Sequence, residues 1–272
     1  MKIMKKINNN FAMALDDNGV ELIVTGKGIG FPKTPYELTD LNIIEKKYSV
    51  PQNTSVDLLQ RYSAEVIEYT HAVVKMGEQI LNKTLNMSVF VTLADHIDFA
   101  LQRFEAEMDI KNPLNWEIKH FFPIHYEIGI QAITYLSKET GRKIPKDEAS
   151  SIALHFINDE IGRSDFHETT SVMKILTNIL NIVQYHFNVE FDEESFMYQR
   201  FITHLKFFVI RHLGNEVIEG KVDEMYGLMK ERYVAEDQCI HKIEQYLGEM
   251  YGWTLSEDEK LYLIIHINRN VS

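Results

Sequence analysis

The sequence predicts a multidomain protein, with a small antiparallel β-sheet domain followed by two duplicated all-α helical-bundle domains. Three observations predict it. Short β-type runs separated by turn residues fill the first 55 residues. Helical spacing of apolar residues takes over beyond residue 60. Two histidine-bearing patterns then recur 108 and 111 residues further along the chain. The expected domains are residues 1–55, 60–165 and 166–272.

In the head, Lys2–Ile7 and Phe11–Leu15 read as strands, followed by Asp16-Asp17-Asn18-Gly19, where Asn-Gly tolerates the positive φ of a tight turn. Val20–Thr25 and Asn42–Val50 read as the third and fourth strands. Between them, Gly26-Lys27-Gly28-Ile29-Gly30-Phe31 is a loop whose glycines permit close backbone approach. So small a domain buries little core and is expected to pair with a second copy of itself. Pro51-Gln52-Asn53-Thr54-Ser55 reads as a linker. Helical spacing follows around Tyr69, Phe99, Ile128–Leu136, Ile152–Ile157, Val172–Val183, Phe201–Leu213, Cys239–Leu247 and Leu261–Ile267. Stop signals stand at Asn112-Pro113, Gly141, Gly162, Gly214-Asn215 and Gly252.

The net charge of −12 opposes nucleic-acid binding by the chain as a whole, because phosphate contacts need basic groups. Its distribution is uneven: residues 1–55 carry seven lysines and six acids, so the acidity lies in the helical body. A near-neutral head on an acidic body suggests two separate tasks. No apolar run is long enough to insert in a membrane, and MKIMKKINNN has no apolar stretch behind its lysines to make a signal peptide. The single cysteine, Cys239, fits a reducing, cytoplasmic compartment.

The repeat concentrates attention on four histidines. His96-Ile97-Asp98-Phe99 with Arg103 corresponds to His204-Leu205-Lys206-Phe207 with Arg211, at an offset of 108. Asp147-Glu148 leading to His155 corresponds to Asp258-Glu259 leading to His266, at an offset of 111, and Tyr135-Leu136 matches Tyr246-Leu247 at the same offset. A lone histidine on an amphipathic helix is usually structural, but register kept through duplication favours a shared task. Glu68/His71 and Glu117/His120 have E-x-x-H spacing, yet neither pair includes a repeated histidine, so no metal is expected. Hydrolase and nucleotide-binding signatures are absent, and neither enzymatic activity nor a small-molecule cofactor is indicated. Phosphoryl acceptance fits best: imidazole is nucleophilic near neutral pH, and the phosphate it gains can be paired by arginine. His96, His155, His204 and His266 are the candidate acceptors, Arg103 and Arg211 the candidate phosphate partners, and Asp95, Glu148 or Glu259 could orient a ring.

These residues, in this order, resemble the BglG/LicT/SacY family of bacterial transcriptional antiterminators. The head matches through Asn8-Asn9-Asn10 before Phe11, Asn18-Gly19 and the Gly26–Phe31 loop. The body matches the family's tandem phosphotransferase-system regulation domains through Leu93-Ala94-Asp95-His96, Ile152-Ala153-Leu154-His155, Thr203-His204-Leu205-Lys206 and Ile264-Ile265-His266. The resemblance implies a homodimer whose heads bind a hairpin in leader mRNA and prevent a terminator from forming, so that a sugar-utilisation operon, with a hint of the β-glucoside branch, is expressed. It places RNA contacts at Lys5, Asn10, Gly26, Lys27 and Phe31. It implies repression through His96 and His155, phosphorylated by a sugar-specific enzyme II, and activation through His204 and His266, phosphorylated by the phosphocarrier HPr. A DNA-binding activator built on the same helical modules, and a histidine phosphocarrier, are the competing classes; the absence of a helix-turn-helix pattern in the head weighs against the first.

Overall fold

A computed structural model describes residues 1–49, 59, 61–106, 108, 111–162, 166–214 and 224–271. The expected linker at 51–55, Val50 and Asn215 lie outside the described residues. The chain divides into two compact units, Met1–Ser164 and Asp165–Ser272.

The first unit opens with a five-stranded antiparallel sheet made of β1 (Lys2–Lys6), β2 (Phe11–Leu15), β3 (Glu21–Thr25), β4 (Tyr36–Glu37) and β5 (Lys46–Ser49), in the order β4-β1-β2-β3-β5. The fourth run read from sequence is shorter as a strand, because Leu41–Ile43 forms a single 3₁₀ turn capped by Asp40. The two-residue β4, just after Pro35, is too short to show a period and was not expected. The pairs Ala12–Val24 and Met13–Ile23 fix the alternation that gives the sheet two different faces. On one face Ile3, Ala12, Ala14 and Val24 bury against Ile29 and Leu38. On the other, Phe11, Ile23 and Tyr48 belong to the core of the helices that follow.

Those helices are α1 (Ala64–Leu81), α2 (Met87–Glu105), α3 (Asn115–Phe121), α4 (Pro123–Thr140) and α5 (Asp147–Ile161). Ser63 starts α1 by accepting the Val66 N–H, and Asn82 ends it at φ 49°. Phe11 lies 5.7 Å from Phe90 of α2 and 5.2 Å, edge-on, from His71 of α1. Tyr48 packs 5.7 Å from Phe90, and Lys46 forms an ion pair with Glu78. The head and the first bundle therefore share one hydrophobic core.

The second unit contains α6 (Phe166–Phe187), α7 (Phe196–Leu213), α8 (Glu224–Arg232), α9 (Val234–Tyr251) and α10 (Glu257–Val271). The offsets of the repeat pair α2 with α7 and α5 with α10, so each unit carries one candidate histidine on each of two corresponding helices. No helix among the described residues is long and apolar enough to cross a membrane.

Candidate functional site

At one end of the sheet, two loops are tied together. Gly26 N–H donates to the Asn10 carbonyl and Gly30 N–H to the Asn9 carbonyl, both at 2.9 Å. A Cβ on Gly26 would run into the Ile43 carbonyl, and one on Gly30 into the Asn8 carbonyl, so both positions require glycine. The Asn10 side chain spans the joint: its Oδ1 accepts from Gly28 N–H at 3.1 Å, and its Nδ2 donates to Glu68 Oε1 of α1 at 3.1 Å. Lys5 and Lys27 are exposed, and Phe31 is 70% exposed, which excludes a core role for that ring in this chain. Asn10, Gly26, Lys27 and Phe31 are thus gathered on the two joined loops, and Lys5 stands near the same end on β1.

The histidines pair across helices, one pair per unit. His96 on α2 and His155 on α5 have ring centroids 5.2 Å apart. His96 keeps 19% of its side-chain exposure and faces Glu148, with Nε2 2.9 Å from Oε2. Arg103, one more α2 residue on the same face, donates to Glu148 Oε1 at 2.7 Å. Burial opposes the charged form of Glu148, but His96 and Arg103 together outweigh it and hold the carboxyl below its ordinary range. Arg103 is itself buried beside the rings of Phe99 and Phe104, with Nε and Nη1 unpaired. His155 is buried, with Nδ1 3.1 Å from Thr92 Oγ1; burial first, then the neighbouring His96, keeps it neutral well below the usual histidine range.

The second pair is arranged differently. His204 on α7 and His266 on α10 lie 4.8 Å apart, with Tyr262 against both. Glu259, the counterpart of Glu148, is taken by His212, whose Nε2 lies 3.0 Å from Oε1, and by Arg211 at 3.6 Å. His212 stands where the first repeat has Phe104. His212 offers a ring nitrogen that Phe104 lacks, and it engages the carboxylate whose counterpart in the first unit faces His96. Burial, with help from His204, Arg200 and Arg269, pushes His266 down to about 4. A groove of about 270 Å³ opens beside His204, lined by Phe201, Phe208, Arg211, Glu259 and Tyr262, whereas the corresponding space beside His96 is about 10 Å³.

Asp95, a possible ring-orienting group, instead accepts from Tyr62 Oη at 3.0 Å. Glu68 and His71, noticed only as an E-x-x-H pair, contact the head. His212 was legible only by asking what occupies the register of Phe104. No cluster of potential metal ligands occurs among the described residues.

Comparison with known proteins bears on both sites. The family model described as CAT RNA binding domain matches residues 1–56, and the PRD domain model matches residues 71–159 and again 177–270. The chain is 38% identical to the transcription antiterminator LicT of Bacillus subtilis (strain 168), over 100% of this chain and 99% of that protein. It is 34% identical to the beta-glucoside operon antiterminator of Dickeya chrysanthemi, over 99% and 96% respectively. The crystal structure of GlcT CAT-PRDI superposes with a TM-score of 0.52 at 26% identity, covering 58% of this chain and 97% of that one.

Proposed function

Because this chain belongs to the family of transcription antiterminators built from a CAT RNA-binding domain and PRD domains, we propose that its head binds a leader-mRNA hairpin as a homodimer and that its paired histidines set that activity. The chain is an RNA-binding antiterminator under phosphotransferase-system regulation. Its output is read-through of a terminator in a sugar-utilisation operon, of the β-glucoside type by analogy with the Dickeya relative. It acts in the cytoplasm, where the nascent transcript is, and as a regulator rather than an enzyme.

On the RNA side, Phe31 stacks an unpaired base, Asn10 reads a base edge, and Lys5 and Lys27 meet phosphates, with Gly26 leaving room for the backbone. The observation that carries this reading is the tied loop pair, which presents an exposed aromatic ring and exposed lysines together at one end of the sheet. On the regulatory side, His96 and His155 take the phosphoryl group from the sugar-specific enzyme II and silence the protein. His204 and His266 take it from HPr and favour the active dimer. The unpaired donors of Arg103 support its role as a phosphate partner, and Arg211, with Nε also unpaired, takes the same role in the second unit.

The test is binding of the full chain to its leader hairpin, with Phe31→Ala and duplex DNA of matched sequence as controls. Binding that prefers RNA and is lost in Phe31→Ala supports the reading. Equal binding to both nucleic acids, or an unaffected variant, overturns it.

A further inference from the structure

We propose that Glu148 selects the nitrogen of His96 that accepts the phosphoryl group, making it Nδ1, and that the second unit has lost this selection at His204. The inference rests on the phosphoacceptor reading above and deepens it.

The argument is one of hydrogen-bond chemistry. A carboxylate held ionised by a buried guanidinium can only accept. Glu148 accepts from Arg103 at Oε1, so the His96 nitrogen 2.9 Å from Oε2 carries a hydrogen. A neutral imidazole has one N–H, so fixing it at Nε2 puts the nucleophilic lone pair on Nδ1. Nδ1 of His96 has no hydrogen-bond partner among the described residues, and the ring keeps partial exposure. Its partner His155 is buried, leaving His96 as the more accessible member of the pair.

The transfer then balances. The Nδ1 lone pair attacks the phosphorus carried by a phosphorylated side chain of the donor protein. The bond between that phosphorus and the donor side chain breaks, and its electron pair stays on the donor side chain. His96 becomes an Nδ1-phosphorylated imidazolium that retains its Nε2 hydrogen, and Glu148 offsets the positive charge that develops on the ring. Glu148 is thus a positioning residue: it fixes the tautomer and stabilises the charged product without touching the phosphoryl group.

In the second unit the same register position holds a carboxylate, but His212 and Arg211 occupy it. Among the described residues, His204 has ring neighbours and no carboxylate partner. Its attachment site is therefore not set by the mechanism that acts on His96.

The experiment uses the full chain with His204→Ala and His266→Ala, phosphorylated by the phosphorylated enzyme II. The product is denatured in alkali, where phosphohistidine survives, and phosphorus NMR distinguishes the two ring attachments; His96→Ala identifies the His96 signal. The expected signal is Nδ1-phosphohistidine. Glu148→Gln, which keeps an oxygen for Arg103 but no longer requires an N–H at Nε2, is expected to shift label to Nε2 or to slow transfer about tenfold or more. An Nε2 signal in the parent protein, or a Glu148→Gln variant with unchanged attachment and rate, overturns the role of Glu148 while leaving His96 an acceptor. Absence of label on His96 overturns the reading beneath it.

Discussion

Asn10 of the head donates its side-chain N–H to the carboxylate of Glu68, on the first helix of the regulatory body, over 3.1 Å. The group proposed to read RNA is therefore held by an acidic residue of the module proposed to receive a regulatory phosphoryl group. In the proposed reading, Asn10 gives up this bond when it turns its amide to a base edge, so Glu68 competes with RNA. Glu68 is exposed, and a pair of this kind is worth about 1 kcal/mol or less. Glu68→Ala is expected to tighten binding of the full chain to its hairpin by about two- to fivefold. Asn10→Ala is expected to weaken it. Titration of both variants against labelled hairpin checks this; no gain from Glu68→Ala would show that the contact does not compete with RNA.

The shared core makes a stronger demand. Phe90 is fully buried and touches both Phe11 and Tyr48 of the sheet. Phe90→Ala is expected to cost about 3–5 kcal/mol in unfolding free energy. It is also expected to raise amide exchange on β3 as well as on α2, because Phe11 and Tyr48, on the strands either side of β3, lose the ring they pack against. Protection lost on α2 alone would mean that the sheet face is held by something other than this bundle.

His212 is one residue that distinguishes the two histidine pairs. His212→Phe restores the ring found in the first repeat and releases Glu259 toward His204. Burial, then the Arg200 charge, lowers the His204 titration in the present arrangement. The expected result is an upward shift of the His204 midpoint by NMR of the ring protons, since an adjacent carboxylate favours the imidazolium. An unmoved midpoint would place Glu259 out of reach of His204.

The depressed His266 gives a pH dependence of definite sign. Above the usual histidine value of 6.5 the ring is neutral whether folded or unfolded. As pH falls from 6.5 toward about 4, the unfolded chain takes up a proton that the folded chain refuses, so stability is lost over that window. Thermal midpoints of the wild type should fall more steeply there than those of His266→Gln. Parallel curves would mean that His266 is not held neutral.

The histidine pairs were legible because duplication preserved two registers, and each register lands on one face of one helix. Glu148 followed from the same register, and it lies within hydrogen-bond distance of His96. What one residue does to its neighbour's neighbour was not legible: Glu259 sits in the same register as Glu148, yet its partners are His212 and Arg211 rather than the repeated histidine. In the head, alternation revealed strands but not what covers the face of Phe11 and Ile23. The small size of the head pointed to pairing with a second copy; the structure adds that the first bundle covers the face of Phe11, Ile23 and Tyr48. Strand β4 escaped because two residues carry no period.

Transcription in vitro through the chain's own leader terminator tests the central claim most directly, with the purified full chain added both as it stands and after phosphorylation by HPr. The expected result is terminator read-through that rises with protein concentration, is greater after HPr treatment, and is abolished by Phe31→Ala. Termination that stays unchanged with both forms of the protein would contradict antitermination as its function.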